Sequence, residues 1–145
     1  MNEPTADMLD REQLEQLHAA TLKASEACLE LKKLCAAVLV PLEALVAAFN
    51  DRKPSLSLFA AGILVIAAFW IADSFSYFYQ RKLRGSMHHI WQRRAQRCAE
   101  HYPHVPAPGE VSPARAAFNA SMVYYLALGT LVCIAAACYS LGWSG

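Results

Sequence analysis

Charged residues are scarce in this sequence and are missing altogether from two long stretches. Only 17% of the 145 residues are Asp, Glu, Lys or Arg, while 56% are hydrophobic; soluble globular proteins are about 45–50% apolar. No charge occurs in residues 58–72, "LFAAGILVIAAFWIA", or in residues 116–143. A membrane-spanning helix needs about 20 mostly apolar residues, and so short a chain cannot enclose two such helices in a soluble core. The sequence therefore predicts an integral membrane protein with spans over 56–79 and 116–143.

The sequence also lacks the usual signatures of catalysis and of cofactor binding. It has no Gly-rich phosphate loop, no C-x-x-C pair and no recognisable set of nucleophile and base. Five cysteines are too irregular for a disulfide framework. Cys98, His101 and His104 have a spacing that zinc sites use, but no fourth ligand is evident. We therefore expect no enzyme activity, no cofactor and no metal.

Positive charge is concentrated in one region, residues 80–115. This region holds seven Lys or Arg residues and only two acidic ones, whereas residues 1–55 hold six basic and nine acidic side chains. By the positive-inside rule, 80–115 faces the cytoplasm. The polar, acidic N-terminus does not resemble a secretory signal. We expect a multi-pass membrane protein, with 80–115 as a basic cytoplasmic connector that begins as an amphipathic helix.

Residues 1–50 are predicted to form a long amphipathic helix. Counted from Leu14, a seven-residue repeat places mostly apolar residues at its first and fourth positions, the pattern of a helix that packs lengthwise on a partner. Self-association through this helix would make a homo-oligomer. In the other interpretation, the helix folds back on its own chain.

Residues 34–49, "LCAAVLVPLEALVAAF", leave a second question open. They are short for a free-standing span, and Glu43 at mid-membrane would cost about 2.5–3.5 kcal/mol. With two spans, the basic connector would place the N-terminal helix outside the cytoplasm. If 34–49 is membrane-embedded, residues 1–33 lie on the cytoplasmic side with the connector.

The basic connector is a candidate phosphate-binding surface. Lys82, His89, Arg93 and Arg97 fall within about 80° of one another on a helical wheel. Arginine forks suit phosphate oxygens, and an aromatic ring can stack on a base. The candidate ligand-binding residues are Arg81, Lys82, Arg84, His89, Trp91, Arg93, Arg94 and Arg97. The alternative is that these cations only set orientation and attract anionic lipid headgroups.

Polar side chains in or near the spans are candidates for a pore or gate. Asp73 stands out because carboxylates within a membrane usually face a bundle interior or water; alternatively, it pairs with a basic residue such as Arg81 or with one from another subunit. The candidate pore or gating residues are Asp73, Ser76, Tyr77, Asn119, Tyr124 and Thr130. Ordinary contacts between helices are the alternative role.

The stretch "FWIADSFSYFYQRKLRGSMHHIW" has an outline that resembles a known class of proteins. An aromatic-rich span end is followed by W-x-x-D, an aromatic cluster and R-x-x-R at the head of an amphipathic helix. This resembles the small two-span membrane effectors of bacterial anti-phage nucleotide-signalling systems, such as SLATT-type proteins and the Hailong membrane effector.

The resemblance implies an oligomer that permeabilises the inner membrane when a nucleotide or oligonucleotide signal changes. In the Hailong type, DNA oligomers made by a partner nucleotidyltransferase hold the channel shut. The expected partners are therefore further copies of the chain, the lipid bilayer and such an oligonucleotide. A membrane scaffold, whose N-terminal helix recruits a soluble partner, is the alternative function.

Overall fold

The protein is almost entirely helical in the parts of the chain that the structure describes. This computed structural model describes residues 3–49, 56–98 and 112–142. About 97% of these residues are helical and none is in a strand, which confirms the predicted all-α class. The elements are α1 (Glu3–Phe49), α2 (Leu56–Cys98), α3 (Pro113–Ala117), a 3-10 turn (Ala120–Met122) and α4 (Val123–Gly142).

Helices α1 and α2 form one long antiparallel hairpin. Asp7 contacts Arg94 near one end, Thr21 contacts Met87, and Lys32 contacts Asp73. Residue numbers therefore rise along α1 as they fall along α2. The N-terminal half of α1 lies beside the part of α2 that holds the cations Arg81 to Arg97, which we call the basic segment. The C-terminal half of α1 lies beside the first predicted span.

The predicted heptad of α1 is used inside the chain in part: its first position is buried from Leu14 to Cys35, whereas Val38 and Leu45 at its fourth position are 43% and 55% exposed. Leu14, Thr21, Cys28 and Cys35, four residues at the first heptad position, are all buried. Because these positions of α1 form a seam that packs along α2 of the same chain, the structure agrees with the interpretation in which the helix folds back on its own chain. Self-association through the same seam would require the hairpin to open.

A core shared by three helices lies at the apolar end of the hairpin. Its buried members are Cys35, Leu39, Ile66, Met122, Tyr125 and Val132. Helices α2 and α4 each contain an apolar stretch long enough to cross a membrane, and only 17% of each stretch is buried inside the protein. A core helix of a soluble protein would be mostly buried. The outward apolar surface therefore fits a membrane protein.

The second span is shorter than expected over 116–143. The chain leaves helical geometry at Phe118 and Asn119, and α4 proper begins at Val123. The Asn119 side chain accepts a hydrogen bond from the amide of Ser121 at 2.7 Å. Asparagine at a helix start competes with helix continuation in this way, which explains why the apolar run is interrupted.

Beyond Gln80 the described hairpin continues as a two-helix arm, which we define as residues 3–25 of α1 and 80–98 of α2. At 1.5 Å per residue, the α2 part of the arm is about 28 Å long. Helix α2 runs unbroken from Leu56 to Cys98. The expected span and the expected amphipathic connector helix are therefore one rod.

The hairpin register can be tested by crosslinking. In a background whose native cysteines are replaced by alanine, T21C/M87C should react with a short bis-maleimide within one chain, because Thr21 Oγ1 lies 3.8 Å from Met87 Sδ. The control pair L22C/M87C should react poorly, because Leu22 is exposed and off the seam. Gel mobility distinguishes the intrachain product, and equal yields from both pairs would contradict the register.

Candidate functional site

Two aspartates of α1 hold three arginines of α2 at the far end of the arm. Arg94 Nε lies 2.9 Å from an Asp7 carboxylate oxygen, and an Arg93 guanidinium nitrogen lies 3.5 Å from Asp10. Arg97 also pairs with Asp10, whose side chain is only 10% exposed. We call these five residues the clasp. It joins the two helices at positions 87 residues apart in the chain.

The clasp places carboxylates where the sequence predicted phosphate. An arginine fork binds planar carboxylate and phosphate oxygens by the same charge-assisted hydrogen bonds. Arg93 remains 57% exposed and Arg97 36% exposed, whereas Arg94 is mostly covered. Three of the predicted ligand-binding residues are thus engaged within the chain, yet two of them stay reachable from solvent.

The other predicted ligand-binding residues are divided between two places on α2. Arg81 is half-buried, Lys82 and Arg84 are exposed, and none of these three has an acidic partner among the described residues. The His89 ring lies 6.3 Å from that of His88, and the Trp91 ring lies 5.8 Å from the Arg94 guanidinium. The basic segment therefore consists of an unpaired cluster near the apolar end and a paired cluster in the clasp.

A buried ion pair lies where the arm meets the three-helix core. Lys32 of α1 donates to Asp73 of α2, whose side chain is completely buried. The Tyr124 hydroxyl of α4 donates to the Lys32 carbonyl at 3.1 Å, and the Lys32 ammonium lies 5.6 Å from the Tyr125 ring. All three helices meet here. The partner of Asp73 is thus Lys32 of the same chain, which corrects the expectation of Arg81 or another subunit.

Further polar contacts continue the seam into the arm. Gln80, which is buried, donates to the Ser25 hydroxyl. Burial, with Asp73 nearby, raises the pKa of the Cys28 thiol to about 11. At neutral pH this thiol is protonated and therefore a poor nucleophile.

The candidate pore residues lie at several different places in the chain. Asp73 and Tyr124 lie at the buried pair, and Tyr77 packs against the core. Ser76 and Thr130 each donate to a carbonyl of their own helix, and Asn119 starts the 3-10 turn. The last three residues therefore have local structural contacts.

Sequence reasoning missed Asp7, Asp10 and Lys32 as partners of the basic segment. Extending the heptad count one repeat before Leu14 places Asp7 at the first position and Asp10 at the fourth. Acidic residues on a helix seam indicate a basic partner helix, and the connector supplies one. That signal was present in the sequence, whereas the partner of Asp73 depends on the hairpin register.

Some predicted features lie outside the described residues. These are His101, His104, the side chain of Cys98 and the proline-rich part of the connector between 99 and 111. Among the residues that the structure does describe, no group of three or more His, Cys, Asp or Glu could hold a metal ion.

Comparison with known proteins gave no match: no family model, no curated protein and no solved structure is significantly similar to this chain. The geometry of the clasp and of the buried pair is therefore the basis for assigning a function.

The buried ion pair predicts an asymmetric response to mutation. D73A or K32A should each destabilise the protein by about 3–5 kcal/mol, because a buried charge loses its partner. The double variant K32M/D73L should recover most of that stability, since an apolar pair of similar volume replaces both charges. Thermal unfolding in detergent measures the effect, and equal losses in all three variants would contradict a paired role.

The Asp7–Arg94 pair of the clasp predicts a smaller loss of stability, which a charge swap should reverse. D7R and R94D should each increase proteolysis of the N-terminal helix, and D7R/R94D should restore protection. We expect this pair to contribute about 0.2–1 kcal/mol to the stability of the arm, because both side chains are partly exposed. The control E15K changes an exposed pair within α1 (with Arg11, 3.3 Å) and should leave arm proteolysis unchanged; no recovery in the double variant would refute the clasp.

Proposed function

We propose that this chain is the gated membrane effector of a bacterial anti-phage system, acting at the inner membrane and controlled by a nucleotide or short oligonucleotide. The observation that carries the proposal is the clasp. It consists of arginines held by carboxylates, which a phosphate would have to displace, at the end of a helix that continues without a break into an apolar span. The resemblance of about residues 58–98, centred on the stretch 69–91, to small anti-phage membrane effectors supports the same function.

The proposed topology has three crossings. Because Cys35 and Leu39 of the segment 34–49 share a core with α2 and α4, this segment enters the membrane together with those helices. Asp7 and Asp10 contact the basic segment, so the N-terminus lies on the same side as the connector. The positive-inside rule then places both in the cytoplasm, where a nucleotide signal is made.

The proposed trigger is competition for the arginines. Each phosphodiester of an oligonucleotide carries one negative charge, as a carboxylate does, but a short oligomer presents several phosphates in a row to the same arginine donors. A short oligonucleotide could therefore displace Asp7 and Asp10, while Trp91 offers a surface on which a base can stack. Releasing α1 from the arm frees α2 to tilt. The ligand shifts this equilibrium only by its differential affinity for the clasped and open states.

The proposed ion path requires several copies of the chain. The centre of the single-chain bundle is filled by apolar side chains and by the Lys32–Asp73 pair. Large apolar side chains remain exposed on α2 and α4, including Ile71, Phe75, Leu131 and Ile134. These faces are suited to lipid or to neighbouring copies, and an assembly around a common axis would create the path.

The direct test is ion flux from vesicles that contain the purified full-length chain. A short single-stranded DNA oligomer should change the flux through the wild-type protein. R93E/R97E should not respond, because the cations that hold the phosphates are reversed. D7N/D10N should respond at a DNA concentration at least about five-fold lower, because the competing carboxylates are neutralised; coupling energies of this kind correspond to about 5- to 150-fold.

The matched control is R11E/K23E, which reverses two α1 cations outside the clasp. It should respond to the oligomer as the wild-type protein does. A normal response of R93E/R97E would refute the clasp as sensor. If no variant conducts ions and expression in a bacterium leaves the membrane potential intact, the effector function itself is wrong.

A scaffold function is the second candidate, and one feature of α1 favours it. Leu22 and Leu29 lie off the α2 seam and are 53% and 55% exposed, and Met8 and Leu9 are exposed as well. Such an apolar strip could bind a soluble partner or a second copy. Retained membrane potential, together with loss of a bound partner in L22E/L29E, would favour the scaffold.

A further inference from the structure

An apolar cleft lies on the outside of α2, opposite the α1 seam and next to α3. It has a volume of about 270 Å³ and is lined mainly by aromatic and aliphatic side chains. Phe75 and Phe118, which are 59% and 74% exposed, form much of its open side. The lining residues are Trp70, Ile71, Ser74, Phe75, Phe78, Pro113, Ala117 and Phe118.

The polar atoms at this cleft are already satisfied. The Trp70 indole N–H donates to the Ala117 carbonyl at 2.9 Å. The Ser74 hydroxyl donates to the Trp70 carbonyl at 2.7 Å. Because no hydrogen-bonding group is left over to orient a polar ligand, the cleft suits a hydrocarbon chain.

A positively charged residue, Lys82, follows the cleft on the same face of α2. On a helix with 3.6 residues per turn, Lys82 lies within about 40° of Phe75 and Phe78 when the helix is viewed end on. Lys82 is exposed and has no acidic partner among the described residues. One turn further, a Cβ built on Gly85 would meet nothing within 4 Å, so space remains beside the lysine for a bulky anionic group.

We propose that this cleft is a binding site for an anionic phospholipid, with part of one acyl chain between α2 and α3 and the headgroup phosphate on Lys82. The site lies at the end of an apolar stretch that is long enough to cross a membrane, where lipid headgroups meet basic side chains. It uses a cation that the clasp leaves unpaired, and it does not depend on the proposed nucleotide response.

Arg84 provides a matched control in the same helical turn. It is exposed and also lacks an acidic partner among the residues described, but it lies at least about 120° from Phe75 and Phe78 around the helix. Diffuse attraction to an anionic membrane would use Lys82 and Arg84 equally. A specific lipid site would use Lys82 alone.

The test uses Trp70 as a reporter of lipid in the cleft. The full-length W91F/W143F variant, which keeps only Trp70 of the three tryptophans, is placed in vesicles of unlabelled phosphatidylcholine. Increasing amounts of phosphatidylglycerol or phosphatidylcholine are added, each with the same doxyl quencher on its acyl chain. Phosphatidylglycerol should quench at about five-fold lower mole fraction, the preference expected from one cation.

K82E should abolish the preference for phosphatidylglycerol, and R84E should retain it. Equal quenching by the two lipids in the W91F/W143F protein would overturn the proposal, as would equal loss of preference in K82E and R84E. Absence of quenching by either lipid would also overturn it, because the cleft would then be covered by protein, for example by a second copy of the chain.

Discussion

The ion pair between Lys32 and Asp73 fixes the register on which the rest of the structure depends. Asp73 has no exposed surface, so sliding α1 by one turn would leave a carboxylate without a partner in an apolar environment. The cost of such a charge is several kcal/mol. The same register brings Asp7 opposite Arg94 and Asp10 opposite Arg97. A contact inside the core thus determines which charges meet at the far end of the arm.

The basic segment of α2 consists of two parts that differ in charge balance. In the clasp, three arginines face two aspartates, so little net charge remains. Near the apolar end, Arg81, Lys82 and Arg84 have no acidic partner among the described residues. In the proposed topology, membrane orientation would depend most on this unpaired cluster, since paired cations contribute less to the local potential. The proposed ligand response would then belong to the other part of the helix, the clasp.

Local patterns in the sequence predicted the helices, but they did not predict contacts between residues that are far apart in the chain. The uncharged runs and the heptad pattern from Leu14 come from neighbouring residues, so the class and the two apolar helices were predicted. The interruption at Asn119 depends on a single side chain that outweighs the apolar run around it. Lys32 and Asp73 are 41 residues apart, and their pairing follows only from the register of the folded hairpin. The acidic seam residues Asp7 and Asp10 were an exception, because their heptad positions could have revealed them.

The separation between Lys32 and Asp73 also constrains how the chain is made. When α1 leaves the ribosome, the Asp73 partner of its lysine has not yet emerged, and residues 34–49 are short for a free-standing span. If residues 34–49 enter the membrane as proposed, the first stable insertion intermediate would be the complete hairpin, formed once α2 has emerged and paired with Lys32. Helix α1 would wait at the membrane surface or within the translocon until that moment. In the proposed topology, the two helices of the hairpin would therefore enter the membrane together, and α4 would join afterwards.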